Sequence, residues 1–157
     1  MSAPPARPTS WADWGAWAGA VGQVFHCDPS DEIDNIQFCN WIYRDYEPKG
    51  PEFGIVQPII SHPDLKVCSI HRIKANLNLR TPKIIKHGFH RDGTGSFMVA
   101  IYYVNTNDGY TEFEDGTQVE SIENRLLVFD SSLKHTGTTC TNAKVRCVIN
   151  FNYHYGA

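Results

Sequence analysis

The chain has 157 residues, 41% of them hydrophobic and 20% charged, with a formal net charge of −3. That length suits one domain with a core large enough to fold without a disulfide or metal scaffold. The composition excludes a disordered chain, a coiled coil and a collagen-like repeat, and the slight acidity excludes a polycation built to coat nucleic acid.

Residues 1–10 (MSAPPARPTS) read as a loose leader, and 11–157 as a single domain. Trp11, Trp14 and Trp17 follow at intervals of three, which stacks them on one side of a short helix. Packing on the flank of the domain is the favoured use of that side, ahead of a partner surface. The stretch from Trp14 to Phe25 does not read as a secretory signal, because glycines interrupt it and Asp13 stands where a positive charge belongs. No transmembrane span is expected, and the expected location is cytoplasmic. A second helix is expected from Ser30 to Tyr46, completing a helical flank over about 11–46. Ser30 would cap it, Asp31 and Glu32 suit its positive end, and Ile33, Ile36 and Trp41 supply apolar positions. Residues 47–64, with Pro48, Pro51, Pro58 and Pro63, read as loop with a short strand near Ile55.

From about residue 66 to 153 the period changes to two, giving a β core. In IHRIKANLNLR, Ile73, Ala75, Leu77 and Leu79 share one face, and Arg72, Lys74, Asn76, Asn78 and Arg80 the other. A slip of one residue would reverse the faces, so which of them meet a pocket stays open. Further strands are expected at Ser96–Asn105, Tyr110–Phe113, Gln118–Ile122, Arg125–Asp130 and Lys144–Tyr153, separated by turns such as TNDG and EDGT. Short strands at this spacing indicate an antiparallel sandwich or barrel. The five cysteines, Cys27, Cys39, Cys68, Cys140 and Cys147, form no CxxC pair and read as mostly buried free thiols.

The chemistry-bearing residues begin with His90-Arg91-Asp92. In extended chain His90 and Asp92 point the same way, and His135 lies several strands later. Two imidazoles and a carboxylate on one side of a metal leave the opposite positions open, the geometry of non-haem Fe(II) oxygenases. His87 is discounted as a ligand because residues three apart on a strand face opposite ways. Arg146, among core-like residues on the last strand, is costly to bury unless an anion meets it. One of Tyr102 and Tyr103 must face inward and needs a hydroxyl partner. Seven of the chain's 14 basic residues fall between Asp64 and Asp92 with no acid among them, a stretch suited either to drawing in anions or to balancing the acidic run Asp108–Asp130.

The segment His90 to Tyr153, through HRD, AIYYVNTNDGYTEF, EDG, NRLLVFD, His135, Arg146 and INFNY, resembles the Fe(II)- and 2-oxoglutarate-dependent oxygenases. It is most similar to small prolyl-hydroxylase-like members, including phage-encoded forms. The resemblance implies a mainly β fold, a double-stranded β-helix or jelly roll, with one or two N-terminal helices. It implies that His90, Asp92 and His135 bind Fe(II), that Arg146 holds the far carboxylate of 2-oxoglutarate with help from Tyr103, and that Asn76 lines the pocket. Fe(II), 2-oxoglutarate and O₂ would then be required, with ascorbate a candidate reductant. The expected reaction is hydroxylation of a C–H bond in a prolyl-type peptide or protein, coupled to decarboxylation of 2-oxoglutarate to succinate. Hydroxylation of a small free metabolite is the runner-up, and a non-enzymatic metal-binding jelly-roll module is the alternative from another class. A nucleic-acid substrate is disfavoured by the overall acidity, and a zinc hydrolase lacks an identifiable general base.

Overall fold

The computed structural model describes residues 23–24 and 36–156, Thr94 excepted. The leader, the Trp11–Trp17 segment, Cys27 and the beginning of the second expected helix lie outside the described residues. In chain order the elements are β1 (Gln23–Val24), β2 (Gln37–Arg44), β3 (Glu47–Pro48), α1 (Glu52–Ile60), a 3-10 turn (Pro63–Leu65), β4 (Val67–Leu79), β5 (Met98–Tyr103), β6 (Tyr110–Phe113), β7 (Gln118–Glu120), β8 (Leu126–Asp130), β9 (His135–Gly137) and β10 (Val145–Tyr155). Two antiparallel sheets result. The larger runs β1-β2-β4-β10-β5-β8 with β3 beside β2, and the smaller runs β7-β6-β9. This is the antiparallel architecture expected from the strand spacing and the jelly-roll class that the resemblance implied.

The expected helix from Ser30 to Tyr46 is a strand over its second half. QFCNWIYR is rich in aromatic and branched residues that suit a pleated surface, and the long edge of β4 offers it a ladder from Gln37↔Asn78 to Tyr43↔Ile73. Asp45 and Tyr46, both at positive φ, then turn the chain into β3 as a two-residue hairpin loop. The loop expected over 47–64, with a strand near Ile55, is instead the helix α1. Pro51 stands at its N-terminal boundary, where a missing N–H costs nothing, and Pro58 falls in its last turn. Glu52, Val56 and Ile60, four apart, form its buried face.

That helix face rests on one side of the large sheet, over Ile42, Ile73, Ala75, Ala100, Ile149, Phe151 and Tyr153. Full burial of each large aliphatic or aromatic side chain there contributes about 1.5–3 kcal/mol. The opposite side faces the small sheet, where Phe97, Val99, Ile101, Tyr103, Phe129 and Val148 pack with Phe113 and Val119. Alternation on β10 sends Cys147, Ile149, Phe151 and Tyr153 toward the helix side, and Arg146, Val148, Asn150 and Asn152 into the space between the sheets. The β4–β10 register sets Asn78 opposite Arg146, Asn76 opposite Val148, Lys74 opposite Asn150 and Arg72 opposite Asn152. The polar side of β4 therefore faces the interior of the jelly roll rather than solvent, and it floors a cavity.

Candidate metal centre and anion pocket

His90 and His135 come together through the backbone. The two residues form an isolated antiparallel bridge in which each N–H donates to the other's carbonyl at 3.0 Å. This brings the imidazole centroids to 4.6 Å. Each Nδ1 lies 3.2 Å from a carbonyl two residues upstream, Gly88 for His90 and Leu133 for His135. A carbonyl can only accept, so Nδ1 carries a proton in both rings, which leaves Nε2 as the nitrogen turned toward a metal. His135 is 2% exposed and packs its ring edge against Phe129 at 4.8 Å. Burial, with His90 beside it, pushes its pKa below the ordinary imidazole value against the pull of the Leu133 carbonyl and Asp92, so it is neutral at neutral pH.

Asp92 supplies the third donor from a bend after the bridge. Its side chain is 5% exposed, and its Oδ1 lies 3.7 Å from His90 Nε2. Asn152 Nδ2 donates to Oδ2 at 2.9 Å, and the Arg72 guanidinium lies 3.1 Å from Oδ1. Burial pushes the carboxyl up. The Asn152 amide, then the Arg72 guanidinium and the neighbouring imidazoles, outweigh it and hold the group below the ordinary carboxylate range. One ligand atom from each of His90, Asp92 and His135 lies within 4.8 Å of the others. His87 lines the same cavity but stands outside this group among the described residues.

The cavity has a volume of about 270 Å³, and Lys74, Asn76, Asn78, Asn150 and Arg146 line it together with His90, Asp92 and His135. Arg146 is 2% exposed. Its Nε donates to Ser121 Oγ at 2.9 Å and a terminal nitrogen to Thr111 Oγ1 at 3.2 Å. No carboxylate of the described residues lies within ion-pair distance of it. Burial pulls its pKa down, with Tyr103 the first of the nearby groups opposing, yet a guanidinium keeps its proton. A buried cation that faces a cavity, with no anion beside it among the described residues, suits an anionic ligand. Gly137, two residues on from His135 and so about 7 Å along the strand, is where the guanidinium approaches β9, since a Cβ there would lie 3.3 Å from an Arg146 nitrogen.

The other expected residues fall differently. Asn76 lines the cavity as expected, accepting a bond from the Cys39 thiol at 3.2 Å. Tyr103 is fully buried, and its hydroxyl donates to Thr111 Oγ1 at 2.8 Å. It thus stands behind Thr111, beside Arg146, rather than among the residues of the cavity wall. Of the cationic stretch, Arg72 and Lys74 face the site. Lys86 pairs with Glu112 at 2.8 Å, and Arg91 donates to the Ser132 carbonyl. Sequence reasoning did not find the Arg72–Asn152 contact to Asp92 or the Ser121 and Thr111 supports of Arg146. The available signal was the alternation that set Asn150 and Asn152 on the face of Arg146. The described cysteines Cys39, Cys68, Cys140 and Cys147 are free, and only Cys68 is exposed.

No protein-family model matches the chain, and no curated protein matches it. Solved structures do. A prolyl hydroxylase from Trichoplax adhaerens, in complex with a peptide fragment of the oxygen degradation domain of hypoxia inducible factor, is 14% identical with a TM-score of 0.62, covering 89% of this chain and 74% of that one. A 2OG-Fe(II) oxygenase family oxidoreductase from Burkholderia pseudomallei is 12% identical with a TM-score of 0.63, covering 94% and 80%. A Pseudomonas putida prolyl-4-hydroxylase is 15% identical with a TM-score of 0.51, covering 93% and 85%. The fold of this chain is therefore similar to that of the 2-oxoglutarate and Fe(II) oxygenases, the prolyl hydroxylases among them.

Proposed function

We propose that the chain is an Fe(II)- and 2-oxoglutarate-dependent dioxygenase that hydroxylates a C–H bond of a prolyl-type peptidyl substrate. The observation that carries this reading is the buried Arg146, without an ion-pair partner among the described residues, opening on the same cavity as the His90, Asp92 and His135 donors. Two imidazoles and one carboxylate, gathered on one side of an open space, suit Fe(II) and leave coordination positions for other ligands. These three residues would hold the iron, and Arg146, braced by Ser121 and Thr111, would take the far carboxylate of 2-oxoglutarate as a two-pronged donor. When bound, the iron, 2-oxoglutarate and O₂ supply the oxidising chemistry. The chain's own part is to orient the ligands, exclude bulk water from the cavity and set the depth at which the dicarboxylate stops. The prolyl-type peptide draws on the likeness to the two prolyl hydroxylases. A small anionic metabolite is the second reading. It is favoured by Lys74, whose ammonium lines the cavity with no carboxylate of the described residues in ion-pair distance and rides 5.5 Å over the Trp41 ring.

The test is anaerobic titration with Fe(II) and 2-oxoglutarate, followed by visible absorbance, then exposure to O₂ with succinate detection. A weak charge-transfer band and slow succinate formation are expected in the wild type. Asp92→Ala and Arg146→Ala should lose them, and proline-containing peptides should accelerate succinate release more than free anions do. Folded, iron-loaded protein with neither band nor succinate would overturn the reading.

A further inference from the structure

The three candidate ligands are not held alike. His90 and His135 are fixed by the ladder bonds they exchange, whereas Asp92 lies in a bend with no strand to set its position. A closed ring of contacts takes that place. Arg72 Nε donates to Asn152 Oδ1 at 2.9 Å, which commits the other end of the amide, Nδ2, to Asp92 Oδ2 at 2.9 Å. The same guanidinium returns to Asp92, lying 3.1 Å from Oδ1 and donating to its backbone carbonyl at 3.4 Å. Arg72 and Asn152 are direct partners in the β4–β10 register, so the two longest strands hold the ring. Asn152 is fully buried, and without Arg72 its amide could present either end to the carboxylate.

We propose that Arg72 and Asn152 are positioning residues for the third metal ligand, and that their pairing, rather than the charge of Arg72, makes Asp92 competent to bind a divalent cation. The inference rests on the metal-centre reading above. Each carboxylate oxygen already has one contact within the ring. The carboxylate is thereby fixed in orientation, with Oδ1 toward the imidazoles and Oδ2 turned to the amide, as a ligand using one oxygen needs. Residues that orient ligands from behind in this way commonly govern metal affinity by roughly 10–100-fold. Charge alone predicts the opposite sign, since removing a cation beside a dication strengthens binding by Coulomb's law.

The experiment is titration of the full chain with Co(II) alone, without co-substrate, reading both the dissociation constant and the d–d absorption of the bound ion. Thermal unfolding of each metal-free variant is followed in parallel. Asn152→Leu, Arg72→Met and Arg72→Lys are compared with wild type and with His135→Ala. Affinity is expected to fall at least about tenfold in all three ring variants, with an altered d–d spectrum. Arg72→Lys should fail to rescue, because an ammonium lacks the planar fork whose Nε serves Asn152 while a terminal nitrogen serves Asp92. Arg72, with 27% of its side chain exposed, keeps its variants foldable should Asn152→Leu not fold. Wild-type affinity and spectrum in folded Arg72→Lys, or tighter binding in Arg72→Met, would overturn the positioning role. A wild type that binds no better than His135→Ala would instead overturn the metal centre itself.

Discussion

Gly109 ties the stability of the fold to the anion pocket, and replacing it with alanine should damage both. A Cβ at this position would stand 2.6 Å from Arg146 Cδ, 2.6 Å from the Thr139 carbonyl oxygen and 2.8 Å from Asn107 Oδ1. Ordinary contact begins near 3.4 Å, so two neighbours must each retreat by most of an ångström. The Thr139 carbonyl belongs to the chain crossing beside Arg146 and has little room to move, which leaves the Arg146 side chain to yield. Overpacking of this kind costs about 1–3 kcal/mol. If the guanidinium shifts enough to lose Ser121 or Thr111, each charged hydrogen bond adds about 1.5–3 kcal/mol. A loss of about 2–4 kcal/mol in urea unfolding is therefore expected for Gly109→Ala, with at least a tenfold rise in the dissociation constant for 2-oxoglutarate. Gly54→Ala is the control. A Cβ there meets nothing within 4 Å, and the position is helical, so alanine should stabilise by up to about 1 kcal/mol. A Gly109→Ala protein as stable as wild type, with unchanged binding of the dicarboxylate, would refute the reasoning.

Tyr103→Phe removes a hydroxyl that reaches Thr111 rather than the cavity. It should cost about 0.5–1.5 kcal/mol of stability and only a few-fold in affinity for 2-oxoglutarate, far less than Arg146→Met; an equal loss in both would place the phenol directly on the carboxylate. Alkylation mapped by mass under native conditions should label Cys68 before Cys39, Cys140 or Cys147, since Cys147 is buried and its thiol is pushed up to about 12; early labelling of Cys147 would contradict its burial. Asp108 accepts bonds from the Thr141 hydroxyl and the backbone N–H groups of Thr141 and Asn142, which together outweigh its burial and hold its carboxyl below the ordinary range. Its contribution to stability is present above the ordinary carboxylate pKa and disappears as pH falls through the lowered folded value, so the gap in urea midpoint between wild type and Asp108→Ala should persist at pH 6 and close only below the ordinary carboxylate range.

The candidate ligands and Arg146 stood out in the sequence because each is a residue type with few uses in its setting: a carboxylate two residues from an imidazole, and a lone guanidinium amid apolar alternation. The two early elements misled for opposite reasons. Over 37–44 the local helix signals upstream could not weigh the ladder that β4 offers, and the four prolines of 47–64 read as breakers although Pro51 stands at the helix boundary and Pro58 removes a ladder donor only in the last turn. The alternation of β4 was visible, but an amphipathic strand ordinarily turns its polar side to water, and nothing in one strand reveals a second sheet beyond it.

The Arg72–Asn152–Asp92 ring shows why the remainder stayed hidden. Arg72 and Asn152 are 80 positions apart and meet only because β4 and β10 pair in one register, over eight unbroken cross-strand partners from Val145↔Leu79 to Asn152↔Arg72. A slip of one residue would exchange Arg72 for an apolar neighbour, sending Ile73 toward Asp92 and Arg72 toward the helix side. The apolar faces of the same two strands, with Ile73, Ala75, Ile149 and Phe151 against α1, prevent that slip, because it would drive charged and amide side chains into the apolar core. The packing on one side of the large sheet thus enforces the polar geometry on the other. Core substitutions on the helix side, such as Ile149→Ala, should therefore loosen the metal centre as well as the fold, although no atom of Ile149 faces it.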